Sequence, residues 1–290
     1  MPGSVEKIFA CARLNLRVAA LALTGRWLDE KAVAASYDQA AEGYDKSWLS
    51  HLRSVTDTLL SQLPRPEPGA VLDLGCGTGY ATRLLAEANP TLKVTGVDIS
   101  EGMLARARER LQGREVVFVQ DDMLRFLRAR SAGSASLIVS AWSLGYSKPP
   151  SMLLEAARVL EAGGTLAFVV NYADTMEPVF TAFRKCLARH PGLVRLAAWP
   201  RFPASWEDLS RPLERGGFEL VWREEGFKGI PRPAEGAVLP WLLRTGVLAG
   251  FDRMLPLREG GPAAESFESL LAEDPTPLRH HYAAVVARKA

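Results

Sequence analysis

The chain has 290 residues, 48% of them hydrophobic, a length that suits one elaborated α/β domain or two small domains. Its 35 basic and 33 acidic residues nearly balance, which argues against nucleic acid as a partner. Three scattered cysteines and no C-x-x-C pair argue against a disulfide framework and against a metal site, and this usage fits a reducing, cytoplasmic environment.

Residues 8–23 form the first predicted helix. Arg13 and Arg17 interrupt its apolar run, which is too short for a membrane-spanning helix and unlike a secretory signal. The pattern favours an amphipathic helix packed on the domain or on a second copy, so a monomer or a homodimer is expected. A second interpretation stays open, in which Lys7, Arg13, Arg17 and Arg26 hold the helix on a membrane surface.

A buried strand at Ala70–Leu74 is predicted to run into a loop with glycines at 75, 77 and 79. Glycines let the backbone turn sharply and approach a ligand closely, because a Cβ at such positions would obstruct both. Asp98 ends the next predicted strand, 93–97, about 20 residues after Gly77, the spacing of a ribose-binding carboxylate in such units. The two signals together predict a nucleotide-type cofactor site.

Helices and strands alternate along the rest of the chain. We predict helices at Tyr80–Ala88, 101–111 with Ser100 as N-cap, 123–130 and 152–160, and strands at 116–119, 135–140 and 165–170, the last after a turn at Gly163-Gly164. A helix and an aromatic, proline-rich loop then lead to a helix capped by Ser205 and ending near residue 215, and to strands at 218–223 and 281–287. A helix is predicted around residues 239–248. This alternation predicts a parallel sheet with right-handed crossovers.

The third glycine distinguishes between cofactors. A dinucleotide site with the pattern G-x-G-x-x-G would have a small residue where this chain has Tyr80. The chain instead resembles class I S-adenosylmethionine-dependent methyltransferases of the small-molecule type over about residues 35–170. Asp73 and the three glycines match that family's first motif, Asp98 its ribose-binding acid, and Gln120-Asp121-Asp122-Met123 its adenine-binding segment.

The resemblance implies a Rossmann-like doubly wound α/β fold with a seven-stranded, mostly parallel sheet. The last strand is expected to be antiparallel and to lie between strands five and six. N-terminal helices and a helical lid insertion are expected outside this core. The implied domains are N-terminal helices in 1–48 that form part of the lid, the methyltransferase core in 49–228, the lid insertion in 229–277 and the last core strand in 278–290.

The resemblance also implies S-adenosyl-L-methionine as cofactor and S-adenosyl-L-homocysteine as product. Asp122 is expected to accept a hydrogen bond from the adenine amine, and the segment with Tyr37 and Tyr44 is expected to cover the methionine moiety. The full implied set of cofactor-binding residues is Tyr37, Tyr44, Asp73, Gly75, Cys76, Gly77, Gly79, Asp98, Ile99, Met103, Asp121, Asp122, Met123 and Ser140.

The sequence contains fewer signals for the acceptor, the molecule that receives the methyl group. Methyl transfer depends on in-line positioning, and a general base is needed only when the attacking atom must lose a proton. Residues 140–146 lack the Asn/Asp-Pro-Pro-aromatic motif of amide methyltransferases, a magnesium-binding acid and a nucleophilic cysteine. We therefore expect a small, largely apolar organic acceptor, with oxygen preferred over nitrogen or carbon. Candidate substrate contacts, which could equally be packing residues, are Trp142, Tyr146, Tyr172, Trp199 and Trp241.

Candidate general bases are His190 first and then His51, with Tyr146 as a hydrogen-bonding partner, whereas His280 and His281 are expected to be structural or exposed. Two other functions remain open. One is a methyltransferase-fold enzyme that uses the sulfonium for a decarboxylation or a cyclisation. The other is a non-catalytic binding subunit, which the presence of both Asp98 and Asp122 disfavours.

Overall fold

The structure is a computed structural model that describes residues 4–64, 69–88, 91–198, 202–233 and 238–290, with side chains from residue 9 onward. Its α-helices in chain order are α1 Ser4–Leu23, α2 Glu30–Ala40, α3 Ser50–Ser61, α4 Tyr80–Ala88, α5 Glu101–Arg110, α6 Met123–Ala129, α7 Pro149–Val159, α8 Glu177–Arg189, α9 Glu207–Arg215, α10 Val238–Thr245, α11 Phe251–Met254 and α12 Pro262–Ala272. The strands are β1 Ala70–Leu74, β2 Lys93–Asp98, β3 Val116–Gln120, β4 Ala135–Ala141, β5 Leu160–Asn171, β6 Phe218–Gly229 and β7 Arg279–Lys289.

The chain divides into two compact units. We call residues 49–175, 200–228 and 280–290 the sheet unit, and residues 1–48, 176–199 and 229–279 the helical unit. Residues 176–199, which the sequence analysis placed in the core, belong to the helical unit, where α8 packs against α1 and α12.

The sheet has seven strands in the order β3-β2-β1-β4-β5-β7-β6. β1 pairs in parallel with β2 and β4, and β5 pairs in parallel with β4. β7 is antiparallel to β5, with Leu166 opposite Ala287 and Asn171 opposite Tyr282. The predicted Rossmann-like sheet, with an antiparallel last strand between strands five and six, is therefore confirmed.

Strand β5 begins earlier than predicted. Gly163 and Gly164 were expected to end a connection before residue 165, but they lie inside β5, which starts at Leu160. Leu160 pairs with Ala135, and the register with β4 shifts between Ala135 and Leu137, as at a β-bulge. Gly163 adopts φ of +78°, so the glycine accommodates the bulge and the strand continues through it.

Side chains of the central strands alternate between two buried layers. Leu72, Ile138 and Phe168 pack on one face with α6, α7 and α9, and Val71, Val139 and Val169 pack on the other with α3 and α4. Because both faces are covered, the central strands are almost continuously apolar. The carboxyl ends of the parallel strands are left as the edge where polar residues can gather.

Helix starts in the sheet unit follow local capping chemistry. The predicted cap at Ser100 is confirmed, since its side chain accepts a hydrogen bond from the Met103 N–H. The predicted cap at Ser205 is wrong: α9 begins at Glu207 after Trp206, and no side chain caps it. Instead the Ser205 hydroxyl donates to Glu207 and the Asp208 carboxylate accepts from the Ala204 N–H, so the acids of the first turn stabilise this end.

Side-chain hydrogen bonds connect distant segments of the helical unit. The Ser36 hydroxyl donates to Asp252 at 2.6 Å, and Arg258 Nε donates to the second oxygen of the same carboxylate at 2.5 Å. Helix α1 packs on α8, and Arg17 Nε donates to the Val194 carbonyl at 3.0 Å. The helix predicted around residues 239–248 is present as α10. No helix in the described part of the chain is long and apolar enough to cross a membrane.

Candidate functional site

The glycine loop after β1 needs its glycines for two different reasons. Gly75, Gly77 and Gly79 all have positive φ, at +68°, +54° and +79°. A Cβ at Gly75 would lie 2.2 Å from Ser143 Cβ, and one at Gly79 would lie 2.9 Å from the Leu111 side chain, so packing requires these two glycines. A Cβ at Gly77 would meet nothing within 4 Å, so this glycine faces open space that a ligand can occupy.

Asp98 is fixed beside that open space. One carboxylate oxygen accepts from the Gly77 N–H at 2.8 Å, and the other accepts from the Ser100 N–H at 2.9 Å. The β1–β2 pairing brings these residues together, since Leu74 and Val97 are partners directly before the loop. These two hydrogen bonds hold the carboxylate in one orientation, and the residue is 9% exposed.

Asp73 lies beneath the loop and is 1% exposed. The Thr82 hydroxyl of α4 donates to one carboxylate oxygen at 2.5 Å, and the other oxygen has no hydrogen-bond partner among the described residues. Burial, which outweighs the Thr82 hydrogen bond, raises the pKa of Asp73 to about 6. The contact with Thr82 links β1 to the helix that follows the loop.

Burial also raises the pKa of the neighbouring Cys76 thiol well above its usual value, with the Asp98 and Asp73 carboxylates adding to the effect. A thiol held in its protonated form is a poor nucleophile. Cys76 is therefore unsuited to act as a nucleophile.

The acidic pair after β3 starts α6. Asp122 caps the helix by accepting from the Arg125 N–H at 2.9 Å, and Asp121 accepts from Arg125 Nε at 2.5 Å. The Asp121 N–H donates to the Asp98 carbonyl at 3.1 Å, which ties this segment to the end of β2. Nearby, Met123 and Met103 are buried, and Ile99 is half-buried.

Ser140 and Ser143 join β4 to the glycine loop. Their hydroxyl oxygens lie 2.7 Å apart, and the Ser143 hydroxyl donates to the Leu74 carbonyl at 2.6 Å. Ser143 and Thr82 were not among the predicted site residues. Ser143 lies three residues after a predicted strand and Thr82 lies in the first turn of the helix predicted after the glycine loop, and small polar residues at such places are the signal that would have marked them.

This arrangement fits a nucleoside cofactor. Gly77 leaves open space, and the anchored Asp98 carboxylate beside it can accept hydrogen bonds from a pair of adjacent hydroxyls. Asp122, Ile99 and Met103 follow the neighbouring strands at the same edge of the sheet. Among the described residues, no group of His, Cys, Asp and Glu side chains could hold a metal ion.

Trp142 directly follows β4 in an unusual conformation. Its φ of +68° is in the left-handed region, which a tryptophan rarely adopts. The indole Nε1 donates to Thr56 Oγ1 of α3 at 3.2 Å, and the ring lies 5.3 Å from His280 and 5.6 Å from Tyr282. These contacts fix the indole at the carboxyl edge of the sheet.

The two predicted tyrosines of the sheet unit have partners there. Tyr146 packs edge-on against Phe202. The Tyr172 hydroxyl donates to Glu225, and burial together with this carboxylate raises the pKa of Tyr172.

Other predicted site residues lie in the helical unit. Tyr37 packs edge-on against Tyr44, with ring centroids 6.3 Å apart, and Trp241 packs edge-on against Trp48 at 5.7 Å. His190 directly follows α8 as its C-cap, and its N–H donates to the Cys186 carbonyl at 3.0 Å. Trp199 lies outside the described residues. The remaining predicted residues belong to the sheet unit.

The histidines of the sheet unit differ in environment. His51 is on α3, and burial followed by the Lys228 charge lowers its pKa. His280 is 4% exposed, its Nδ1 lies 2.9 Å from Thr175 Oγ1, and burial lowers its pKa to about 3. His281, next in sequence, points to the other face of β7, where it pairs with Asp174 at 2.7 Å and stacks on Phe227.

Comparison with known proteins agrees with this geometry. The family model described as "Methyltransferase domain" matches residues 71–164. Trans-aconitate 2-methyltransferase of Klebsiella pneumoniae (strain 342) is 35% identical over 201 residues, 67% of this chain and 74% of that protein. The same enzyme from Afipia carboxidovorans is 31% identical over 249 residues, 81% and 90% of the two chains. Malonyl-[acyl-carrier protein] O-methyltransferase of Laribacter hongkongensis is 32% identical over 54% of this chain and 56% of that protein.

Solved structures share the fold. A Haloferax volcanii methyltransferase in complex with the Trm112 activator superposes with a TM-score of 0.53 at 21% identity, covering 87% of this chain and 96% of that one. Geranyl diphosphate C-methyltransferase from Streptomyces coelicolor A3(2) gives 0.51 at 14% identity, covering 82% and 76%.

The sheet order, the glycine loop, the carboxylate that ends β2 and the carboxylates that follow β3 define an S-adenosylmethionine-binding fold. With relatives above 30% identity over most of their length, the chain belongs to the class I S-adenosylmethionine-dependent methyltransferases. It is a small-molecule methyltransferase whose cofactor is S-adenosyl-L-methionine.

Proposed function

We propose that this chain methylates a carboxylate oxygen of a small organic acid that also has an apolar part. The observation that carries the proposal is the 31% identity to a trans-aconitate 2-methyltransferase over 90% of that protein. A second group of relatives is named for O-methylation of a malonyl thioester. Aconitate and a malonyl thioester share a free carboxylate, so the two groups of relatives point to the same class of acceptor atom.

The titratable groups at the carboxyl edge of the sheet unit support an acceptor that needs no base. His280 has a pKa of about 3 and is therefore a weak base, and Tyr172 holds its proton more tightly than a free tyrosine. A phenol or an alcohol would have to lose a proton on attack, but a carboxylate is already ionised at neutral pH. Positioning alone is worth roughly 7 to 11 kcal/mol at its best, which suits such a nucleophile.

We assign the cofactor-binding roles to residues of the sheet unit. Asp98 accepts from the ribose hydroxyls, Asp122 from the adenine amine, and the backbone at Gly77 allows close approach. When bound, S-adenosyl-L-methionine supplies an electrophilic methyl group on a sulfonium. Trp142 is placed to shield the apolar part of the acceptor from water, because its contacts with Thr56 and His280 fix the ring at the same edge of the sheet.

The proposal includes a reducing, cytoplasmic setting. Cys11, Cys76 and Cys186 are all free thiols in the structure, and Cys11 is exposed. Such a thiol is most stable in a reducing compartment.

An acceptor panel tests the proposed function. Purified enzyme and labelled cofactor are incubated separately with trans-aconitate, a malonyl thioester, a catechol and a primary amine. We expect label on one or both acids, in a product that mild alkali hydrolyses, as an ester requires. Labelling of the catechol or the amine alone would contradict the proposal.

A further inference from the structure

A second group of polar residues lies at the carboxyl edge of the sheet unit, away from the glycine loop. On β6, Trp222, Glu224, Gly226 and Lys228 are half-buried while the alternate residues are exposed, so these four share one face. On β7, His280 and Tyr282 are buried, and Tyr282 packs in the layer that includes Val55 and Leu59 of α3. The face is therefore covered by α3.

Contacts between β6 and β7 place Lys228 close to His280. The Tyr282 hydroxyl donates to Glu224 at 2.7 Å, and a Cβ at Gly226 would lie 3.2 Å from that hydroxyl. Lys228 is two residues further along β6, and His280 is two residues before Tyr282 on β7, so both lie at the same end of the strand pair. Their side chains point to the face that α3 covers.

Helix α3 completes the group. His51 and Ser54 are three residues apart and share one side of the helix. Lys228 Nζ donates to Ser54 Oγ at 2.9 Å, and the Lys228 charge acts on His51, which in turn acts on His280. We call His51, Ser54, Lys228 and His280 the basic corner.

The positive charge of the basic corner is that of Lys228. Among the described residues, no carboxylate lies within 4 Å of the Lys228 ammonium, whose hydrogen-bond partner Ser54 is exposed. Glu224 faces the same layer but accepts from Tyr282, and Asp174 pairs with His281 on the opposite face of β7. A lysine that has no carboxylate partner in its own chain can form a charge-assisted hydrogen bond with a bound anion.

Trp142 connects the basic corner to the cofactor side of the sheet. Its ring lies 5.3 Å from His280, and its chain position is two residues after Ser140, whose hydroxyl contacts Ser143 at the glycine loop. An acceptor lying on the indole would therefore have an apolar surface beneath it and a cation at one end.

We propose that the basic corner binds a carboxylate of the acceptor other than the one that is methylated. Lys228, beside His51, supplies the charge, and Trp142 contacts the carbon skeleton. The preferred acceptor is then a small di- or tricarboxylic acid. This inference rests on the proposed function for the identity of the acceptor as an acid, but binding of a polycarboxylate at the basic corner can be tested without turnover.

The kinetic test compares Lys228→Met with Lys228→Arg and with Lys93→Met, an exposed lysine at the start of β2. With trans-aconitate as acceptor, we expect Lys228→Met to raise KM about 10-fold or more with little change in kcat, since a charged hydrogen bond is lost. Lys228→Arg should restore most of the affinity, and Lys93→Met should match the wild type. S-adenosyl-L-homocysteine should bind all four proteins equally.

Binding of trans-aconitate at the basic corner can be measured without methyl transfer. In product-loaded enzyme labelled at the imidazole nitrogens, added trans-aconitate should raise the pKa of His51 in the wild type and in Lys93→Met, but not in Lys228→Met. If Lys228→Met methylates acids with an unchanged KM, the basic corner does not bind a carboxylate of the acceptor. The proposed function would not be affected by that result. Absence of any acid turnover would contradict the proposed function, and the imidazole titration would then decide the basic corner by itself.

Discussion

Replacing Asp98 by alanine tests the cofactor site most sharply. The carboxylate makes two anchoring contacts, to the Gly77 N–H at 2.8 Å and the Ser100 N–H at 2.9 Å, and is only 9% exposed. Hydrogen bonds to a charged group are worth about 1.5 to 3 kcal/mol each, so loss of the acceptor for the ribose hydroxyls should cost about 2 to 4 kcal/mol of cofactor binding. The dissociation constant for S-adenosyl-L-homocysteine should rise roughly 30- to 1,000-fold.

Calorimetric titration with S-adenosyl-L-homocysteine measures this change. Asp98→Asn keeps the shape but not the charge and should fall between wild type and Asp98→Ala. Glu109→Ala removes an exposed carboxylate from α5 and should have no effect. Urea unfolding should show Asp98→Ala to be folded but less stable by about 1 to 3 kcal/mol, because buried N–H groups lose their acceptor. An unchanged dissociation constant in Asp98→Ala would refute the assignment of the ribose to this carboxylate.

Three other substitutions have defined outcomes. Asp122→Ala should weaken S-adenosyl-L-homocysteine binding by about 1 to 2 kcal/mol in the same titration, and equal affinity would place the adenine elsewhere. Burial raises the pKa of Asp73 to about 6, so the folded state favours the protonated carboxyl. Relative to Asp73→Asn, the wild type should therefore lose up to about 3 kcal/mol of unfolding free energy as the pH rises from about 4 to 6. Urea unfolding measures this difference, and a difference that does not change with pH would contradict the prediction. Burial lowers the pKa of His280 to about 3, so the folded state favours the neutral imidazole. Relative to His280→Asn, the unfolding free energy of the wild type should therefore fall as the pH drops below about 6.5. If the unfolding free energies of the two proteins change in parallel with pH, the imidazole is not buried in its neutral form.

Local signals in the sequence predicted the part of the fold that builds the cofactor site. The strand Ala70–Leu74, the glycine loop and the helix Tyr80–Ala88 lie where predicted, because apolar runs and glycines act over a few residues. Ser100 caps its helix as expected. The order of strands β5, β7 and β6 came from the resemblance, since hydrophobic pattern alone does not fix which strands pair.

Features that depend on distant contacts were not predictable. The start of helix α7 at Pro149, three residues before the predicted one, is different, because proline in a first helical turn is a local signal that the prediction did not use. The bulge that extends β5 to Leu160 depends on pairing with Ala135. The left-handed Trp142 is held by Thr56, far away in sequence, and the proximity of Lys228 to His51 arises only when β6 and α3 meet.

We propose that the enzyme transfers a methyl group from S-adenosyl-L-methionine to a carboxylate oxygen. The most direct measurement is a carbon NMR spectrum of the product formed from trans-aconitate and cofactor labelled with carbon-13 at the methyl group. We predict a single new signal at the position of a methyl ester, absent when Asp98→Ala replaces the wild type at low cofactor concentration. A labelled methyl bonded to carbon or nitrogen, or consumption of the acid with the label still on the cofactor, would contradict the account.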